Sequence, residues 1–345
     1  MLAPTSSGNS VELCLNSRVS YHDGYKGQAS EKWLSNVIWA AGQAPITGDH
    51  RDIYITTPYG KYLYEPDTHA LSNRTSGRSG DSAFILDYDR ELDFDAGVSS
   101  MFALLESVSL WDGTGSQLAS CPKQESLYFG IRDVEALTEE VVVTSSDGSL
   151  PDPETNGDDS LEDVIANLKY TDNFTGEDIS LEDLSQLLWA GYGGTPHTTY
   201  NGRGGLTVPS WCAEYFLTEN IYVVKQDGVF RYHNRNPGSD LTTRDHMLEL
   251  IKEGDVREEL RSAIRELPDA PCYVVLCLDA EDRSKWYAHL ETGFVGGNML
   301  LQGSAMGVGS WFTTELSEDA QLGIQEVVEV KVDDVPAVVM SVGYV

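Results

Sequence analysis

The strongest constraint on this chain is that it repeats itself. Leu34-Ser35-Asn36-Val37-Ile38-Trp39-Ala40 recurs as Leu184-Ser185-Gln186-Leu187-Leu188-Trp189-Ala190, 150 residues on. IYITTPYGKYLY (Ile53 to Tyr64) recurs as IYVVKQDGVFRY (Ile221 to Tyr232), 168 residues on, with Gly60 and Gly228 in register. Ala96-Gly97 followed by Met101 to Leu105 parallels Thr292-Gly293 followed by Asn298 to Leu301, at an offset near 196. Gly130-Ile131 is matched with Gly323-Ile324, 193 residues on. Four matches in one order argue against chance, and a repeated sequence is expected to build one supersecondary unit twice.

The growing offset places the differences. The second copy gains about 18 residues between its first helix and first strand, and about 28 between its hairpin and long helix. Residues 1–144 read as a shorter, diverged copy and 164–345 as a better-preserved one. Between them, 145–163 is acidic and rich in Pro, Gly and Ser, the pattern of a solvated linker. Each copy starts with a helix bearing Trp39 or Trp189, then two strands around a Gly turn. In the second copy, DHMLELIKEGDVREELRSAIRE has apolar residues at helical spacing. A strand (CYVVLCL), a long helix over 285–303, a Gly-rich loop and a last strand (AVVMSVGYV) complete an α+β pattern.

With 55 acidic and 23 basic side chains in 345 residues, the formal net charge is −32. Nucleic acid and anionic membrane are excluded as main partners, because a phosphate surface requires a basic footprint. A phosphate-bearing cofactor has to be held by a local basic cluster working against that field. The five cysteines are widely spaced and odd in number, which predicts free thiols and a cytoplasmic address. No apolar run of membrane-spanning length exists, and MLAPTSSGNS has no signal-peptide pattern.

Three motifs carry candidate chemistry. Arg18, Val19 and Ser20 sit in NSRVSYHDG just upstream of the first helix, where an Arg, a Ser and free backbone N–H groups suit a phosphate. Pro209, Ser210, Trp211 and Ala213, with Tyr215, lie in RGGLTVPSWCAEY, whose Gly-rich entry and Pro-fixed turn suit the edge of a planar heterocycle. Asn298, Gly307, Val308 and Gly309 belong to YAHLETGFVGGNMLLQGSAMGVGSW, whose glycines signal close approach of a backbone or ligand. His197, Tyr215, Lys285 and His289 are candidates for touching substrate. The competing structural readings are a capped turn, a surface loop and close helix packing.

Together, in this order, these motifs resemble the nitroreductase family of FMN-dependent oxidoreductases, nearest its thiazole/oxazole-forming (SagB-type) dehydrogenase branch. LEDLSQLLWAGYG is similar to that branch's first helix. LTVPSWCAEYFLTENIYVV is similar to its R-T-V-P-S-x-G-A-x-Y-P segment, and the Tyr287–Trp311 stretch to its long helix and G-L-G loop.

The resemblance implies a nitroreductase-like α+β fold in which the two copies form an intrachain pseudo-dimer. Family sites lie at a dimer interface, so Arg18 and Ser20 of the first copy and Pro209 and Ser210 of the second imply one composite FMN site. The opposite site looks eroded, with PITGDHRD and ANLKYTDNFTG in place of the motifs. The implied chemistry is ping-pong hydride transfer through flavin N5, with NADH or NADPH as donor and a small aromatic or peptide-derived molecule as substrate. No catalytic side chain or metal is required. Two departures stand beside the likeness: Trp211 and Glu214 replace small residues, and SVGYV carries no basic pair for the phosphate. The alternatives are a flavin-free binding protein and an accessory half of a peptide-modifying complex.

Overall fold

In the computed structural model, residues 22–24, 26–27, 49–50, 89–92, 112–115, 124–125, 134–136, 141–149 and 235–244, and the side chains of 116–123, lie outside the described part. His22, Asp23 and Gly24 of the first motif and 145–149 of the expected linker are among them.

The first half runs α1 (Val11–Ser17), α2 (Glu31–Gln43), β1 (Ile53–Thr57), β2 (Gly60–Glu65), β3 (Ala70–Thr75), β4 (Phe84–Tyr88), α3 (Phe94–Ser109), β5 (Ser116–Lys123) and β6 (Ser126–Asp133). The second runs α4 (Leu161–Ala166), α5 (Leu181–Tyr192), β7 (Gly194–Thr198), β8 (Gly204–Leu206), β9 (Ile221–Lys225), β10 (Gly228–His233), β11 (Met247–Glu253), α6 (Arg257–Ala263), β12 (Cys272–Asp279), α7 (Trp286–Met306), β13 (Val308–Thr313), α8 (Glu318–Val328) and β14 (Asp334–Tyr344). Serine side chains at positions 10, 30, 160, 180 and 317 cap the N-termini of α1, α2, α4, α5 and α8.

Each half forms a six-stranded sheet whose strand pairs are antiparallel. The orders are β3-β2-β1-β4-β6-β5 and β11-β10-β9-β12-β14-β13, the same order strand for strand. Matching internal contacts reinforce this. Ser35 Oγ lies 2.7 Å from His69 Nε2, and Tyr64 OH lies 2.8 Å from His69 Nδ1. Ser185, His246 and Tyr232 repeat that arrangement at 2.7 and 2.8 Å. Ser35 also donates to Leu2 O and Ser185 to Pro151 O, so in each half the cluster pins an incoming chain segment. Both serines are buried and their protons are committed, so neither is an exposed nucleophile.

The halves meet along α3 and α7. A Cβ on Gly97 would lie 2.3 Å from Leu290 O, and one on Gly293 would lie 2.1 Å from Phe94 O. Each position therefore excludes any larger residue for the mirrored reason, which is the signature of a two-fold-like contact. Ser10 and Ser160 form an antiparallel bridge beside it. One apolar core runs through both halves, including Val11, Ile55, Phe102, Leu187, Val274 and Leu301. A second cluster lies beneath α6 and α8, which have no counterpart among the described residues of the first half, and buries the outer face of the second sheet. That double cover makes CYVVLCL buried throughout.

Several expectations change. The described part of the linker is only partly solvated. Leu150 is buried, Leu161 and Ile165 sit in the core from a capped helix, and 150–163 make the contacts that 1–13 make in the first half. In 150–163 the acidic side chains other than Glu162 are exposed, and the apolar residues and Glu162 turn inward. The expected charged helix is β11 followed by α6. Met247–Glu253 pairs along β10, where the sheet edge supplies hydrogen bonds that outweigh helical periodicity. Gly323 lies in α8 and cannot match Gly130 in β6. The strand register puts Gly343 there instead, with Phe174 packed on Gly343 as Tyr25 is on Gly130. The glycine loop after α7 is a single left-handed cap, Gly307, followed at once by β13.

Candidate functional site

Eight residues singled out in the sequence converge on one small cavity. Arg18, Val19 and Ser20 reach it from the end of α1, and His197, Pro209, Ser210, Ala213 and Tyr215 from the second half. Arg18 joins the two halves. Its Nε and Nη2 donate to Thr207 O and Leu206 O at 3.0 Å each, and its Nη1 donates to Ser20 Oγ at 3.2 Å. Burial to 2% exposure makes these bonds strong, since a guanidinium in a dry site has no water to exchange for them.

The Pro-Ser segment is held in an unusual backbone. Cys212, Ala213 and Tyr215 have φ of 53°, 54° and 60°, a region that disfavours side chains and concentrates at functional loops. The Tyr215 amide donates to Ser210 Oγ at 2.7 Å and closes the turn. That turn throws Trp211 outward. Its indole stacks on Tyr287 at 5.5 Å and 11° and is 37% exposed. The expectation that Trp211 binds the cofactor or fills its space is thereby corrected.

The β7–β8 hairpin covers the cavity with His197, Thr198, Thr199 and Tyr200. His197 stacks so closely over Gly205 that a Cβ there would lie 2.2 Å from the ring. The remaining volume is about 90 Å³, whereas ligand pockets are commonly about 300–1,000 Å³. Beneath it, Asn298 is fully buried. Its Nδ2 lies 3.4 Å from Thr207 O and its Oδ1 has no hydrogen-bond partner.

Gly307, Val308 and Gly309 do not belong to this cavity. β13 pairs with β14 and runs beside Lys169 and Thr171, on the other side of the interface, where Ser310 N donates to Lys169 O at 3.0 Å. There the space between the halves is packed with aromatic rings. Tyr170 stacks on Trp311 at 4.8 Å and 15°, and Phe312 contacts both Tyr170 and Phe94. His289 lines a separate, acidic groove of about 540 Å³ on that side. Lys285 pairs with Asp282 on the surface.

Two residues outside the cavity's lining escaped the sequence reading. Arg132, in the last strand of the first half, holds its guanidinium 4.4 Å over Tyr21, whose pKa burial raises while the Arg132 and Arg18 cations act the other way. The basic partner absent from SVGYV thus stands at the end of the other half. The repeat itself was the signal: a basic pair should be sought at the end of each copy. The second is Glu291, buried in α7, whose Oε1 accepts from Tyr192 OH. Burial raises its pKa to about 7, with the Ser210 hydroxyl, Tyr192 and the Leu217 and Phe216 amides acting the other way. The first motif reading had treated LETG only as helix.

A profile of the nitroreductase family matches residues 172–344. The chain belongs to the nitroreductase family. A putative nitroreductase of Methanocaldococcus jannaschii is 28% identical over 209 residues, which cover 56% of this chain and 94% of that one. The crystal structure of a putative nitroreductase from Anabaena variabilis superposes with a TM-score of 0.63 at 13% identity, covering 95% of this chain and 93% of that one. A putative nitroreductase from Ralstonia eutropha gives 0.47 at 22% identity, over 61% and 96%. The nitroreductase fold thus accounts for the α+β architecture, and membership makes the chain an oxidoreductase of a family that typically uses FMN. Among the described residues, no helix is long and apolar enough to cross a membrane and no His, Cys, Asp and Glu group is arranged to hold a metal.

Proposed function

We propose that the chain is a tandem duplication acting as an intrachain pseudo-dimer, with one FMN at the composite cavity serving two-electron reduction of a small aromatic or peptide-derived molecule. The observation that carries this is the convergence of Arg18 and Ser20 with Pro209 and Ser210, nearly 190 residues apart in sequence, on one cavity. The residues present suit the group. Arg18 and Ser20 bring a buried cation and a hydroxyl to the cavity wall against a strongly acidic molecule. Ser210, the strained Cys212–Ala213 backbone and the unpartnered Asn298 Oδ1 offer polar atoms to a ring. When bound, FMN supplies the hydride chemistry, with NADH or NADPH as electron donor. The chain's own part is to bind, orient and exclude water. The β7–β8 hairpin closes the cavity to solvent, and its displacement admits the ligand.

The packed aromatic rings at Tyr170, Trp311 and Phe312 support a single site. The small cavity favours the second reading, a descendant that no longer takes flavin. Titrating the purified protein with FMN separates the two. The proposal expects quenched flavin fluorescence saturating at one FMN per chain, and bleaching of the visible flavin absorbance by NADH or NADPH. No binding at any FMN concentration supports the flavin-free reading.

A further inference from the structure

We propose that the β7–β8 hairpin is a self-occluding strap over the composite cavity: His197 fills the position of a planar ring, and Asn201 and Arg203 latch the hairpin tip onto the Cys212–Ala213 turn. The nature of the ligand rests on the FMN reading. The strap and its latch stand on contacts within the chain.

The hairpin lies where the two halves differ in length. In the first half α2 and β1 are joined by residues 44–52, whereas in the second α5 and β9 are separated by 193–220, which hold β7, β8 and the Pro-Ser turn. β7 and β8 belong to neither six-stranded sheet. They pair at Gly194–Leu206 and Thr198–Gly204, with a register shift between. A two-stranded ribbon with so short a ladder has little stability of its own, so it is held by what it docks on.

Its feet and its tip are held differently. At the feet, Gly204, Gly205 and Leu206 are buried. Arg18 donates to Leu206 O and Thr207 O, and Thr207 N donates to Gly193 O at 3.0 Å. At the tip, Tyr200, Asn201 and Gly202 are exposed. The tip closes on itself, with Thr199 N donating to Arg203 O at 2.8 Å and Gly202 N to Thr199 O at 2.9 Å. Two side chains then tie it down. Asn201 Nδ2 donates to Cys212 O at 3.0 Å, and Arg203 Nη1 donates to Ala213 O and pairs with Glu214 at 3.3 Å. An element anchored at its feet and tied at its tip by side chains opens by swinging about the feet.

The latch grips a turn that is costly to hold. Cys212 and Ala213, whose carbonyls it takes, have φ of 53° and 54°. Such backbone persists where surrounding contacts over-determine it. Releasing the tip removes two of those contacts, so strap and turn change state together. Beneath the strap, the His197 ring lies against Gly205, where a Cβ would lie 2.2, 2.3 and 2.4 Å from its Nε2, Cε1 and Cδ2. Its Nδ1 lies 2.7 Å from Thr195 Oγ1. A planar ring is thus already seated on backbone in the cavity that Arg18 and Ser210 line. With it in place about 90 Å³ remains, so a flavin ring enters only when His197 leaves.

The test uses the whole chain. In ligand-free protein, hydrogen–deuterium exchange over 194–206 should quicken about tenfold when Asn201→Ala and Arg203→Ala are combined, while β9 and β12 exchange as in the wild type. In stopped flow, the same variant should quench FMN fluorescence on the order of tenfold faster, and His197→Ala should bind FMN on the order of tenfold more tightly. Exchange over 194–206 that matches the wild type in the latch variant overturns the proposal. So does weaker FMN binding by His197→Ala, which would make His197 a contact of the ligand. If neither the wild type nor His197→Ala binds FMN, the flavin reading fails and the exchange decides the strap by itself. Should the double variant not fold, Asn201→Ala decides it, because it leaves the Arg203–Glu214 pair intact.

Discussion

The two sides of the contact between halves share a topology and have diverged in content. On one side Arg18 crosses from the first half to carbonyls of the second, beside a strained loop, an unpartnered amide oxygen and a buried carboxyl. On the other, Tyr170, Trp311 and Phe312 stack together beside an acidic groove of about 540 Å³, and Asp95 accepts from Thr47 and Gly48. Under the proposed duplication each half is free to lose the part the other keeps, whereas identical subunits must lose both copies together.

The largest expected effect that tests this contrast is at Arg18. Arg18→Ala strands two buried carbonyls, Leu206 O and Thr207 O, and removes the bond to Ser20. Bonds to charged groups contribute about 1.5–3 kcal/mol each, so unfolding should become easier by roughly 3–5 kcal/mol in urea titration. FMN affinity should drop as well. Loss of FMN affinity with unchanged stability would mean that Arg18 points to the ligand rather than joining the halves.

A smaller effect compares two buried titratable groups of the second half. Glu291 rises from 4.5 to about 7 on folding, so its contribution is complete below about pH 4.5 and is lost as pH climbs to about 7. His246 falls from 6.5 to about 4 because burial disfavours its charged form. Its contribution is complete above about pH 6.5 and is lost as pH drops toward 4. Each amounts to roughly 3 kcal/mol, and between about pH 4.5 and 6.5 the slopes oppose and nearly cancel. Glu291→Gln should therefore unmask a stability that declines with acidification over that window, and His246→Gln the reverse. Chemical denaturation at several pH values reads both. A difference between the wild type and Glu291→Gln that does not change with pH would show that Glu291 keeps an ordinary carboxyl pKa.

These groups also show what the sequence could reveal. The repeat, the helices with Trp39 and Trp189, the Gly60 and Gly228 hairpins and the last strand were visible, because each depends on local periodicity or turn chemistry. The β11 edge strand was not, because its pairing partner is set by the sheet and not by its own residues. Arg18, Ser20, Pro209 and Ser210 were found by motif and meet in space. Gly307–Gly309 lies away from the cavity where those four meet, since a motif names a residue's role but not which of two related interfaces it serves. Arg132 and Glu291 carried no motif at all. Arg132 matters through the ring of Tyr21, and Glu291 through burial, and neither is written in neighbouring residues.

The smallest effect concerns the packed side. Tyr170 is half-buried, and its stacking on Trp311 is an aromatic pair of the kind that contributes about 0.5–1.5 kcal/mol. Tyr170→Ser should cost about 1–2 kcal/mol once lost apolar contact is included. It also sharpens the comparison, because serine is what the first half carries at Ser20. If erosion of the second site were only a matter of a ring filling space, the substitution would create a second binding position. The neighbourhood argues otherwise. Lys169 is the nearest basic residue in sequence, the facing loop offers Thr47 and Gly48 already bonded to Asp95, and Trp311 and Phe312 remain. Flavin titration of Tyr170→Ser should thus keep the wild-type stoichiometry of one per chain. A second equivalent would mean that the two sides differ by one side chain, and that the asymmetry between the halves is shallower than their contacts imply.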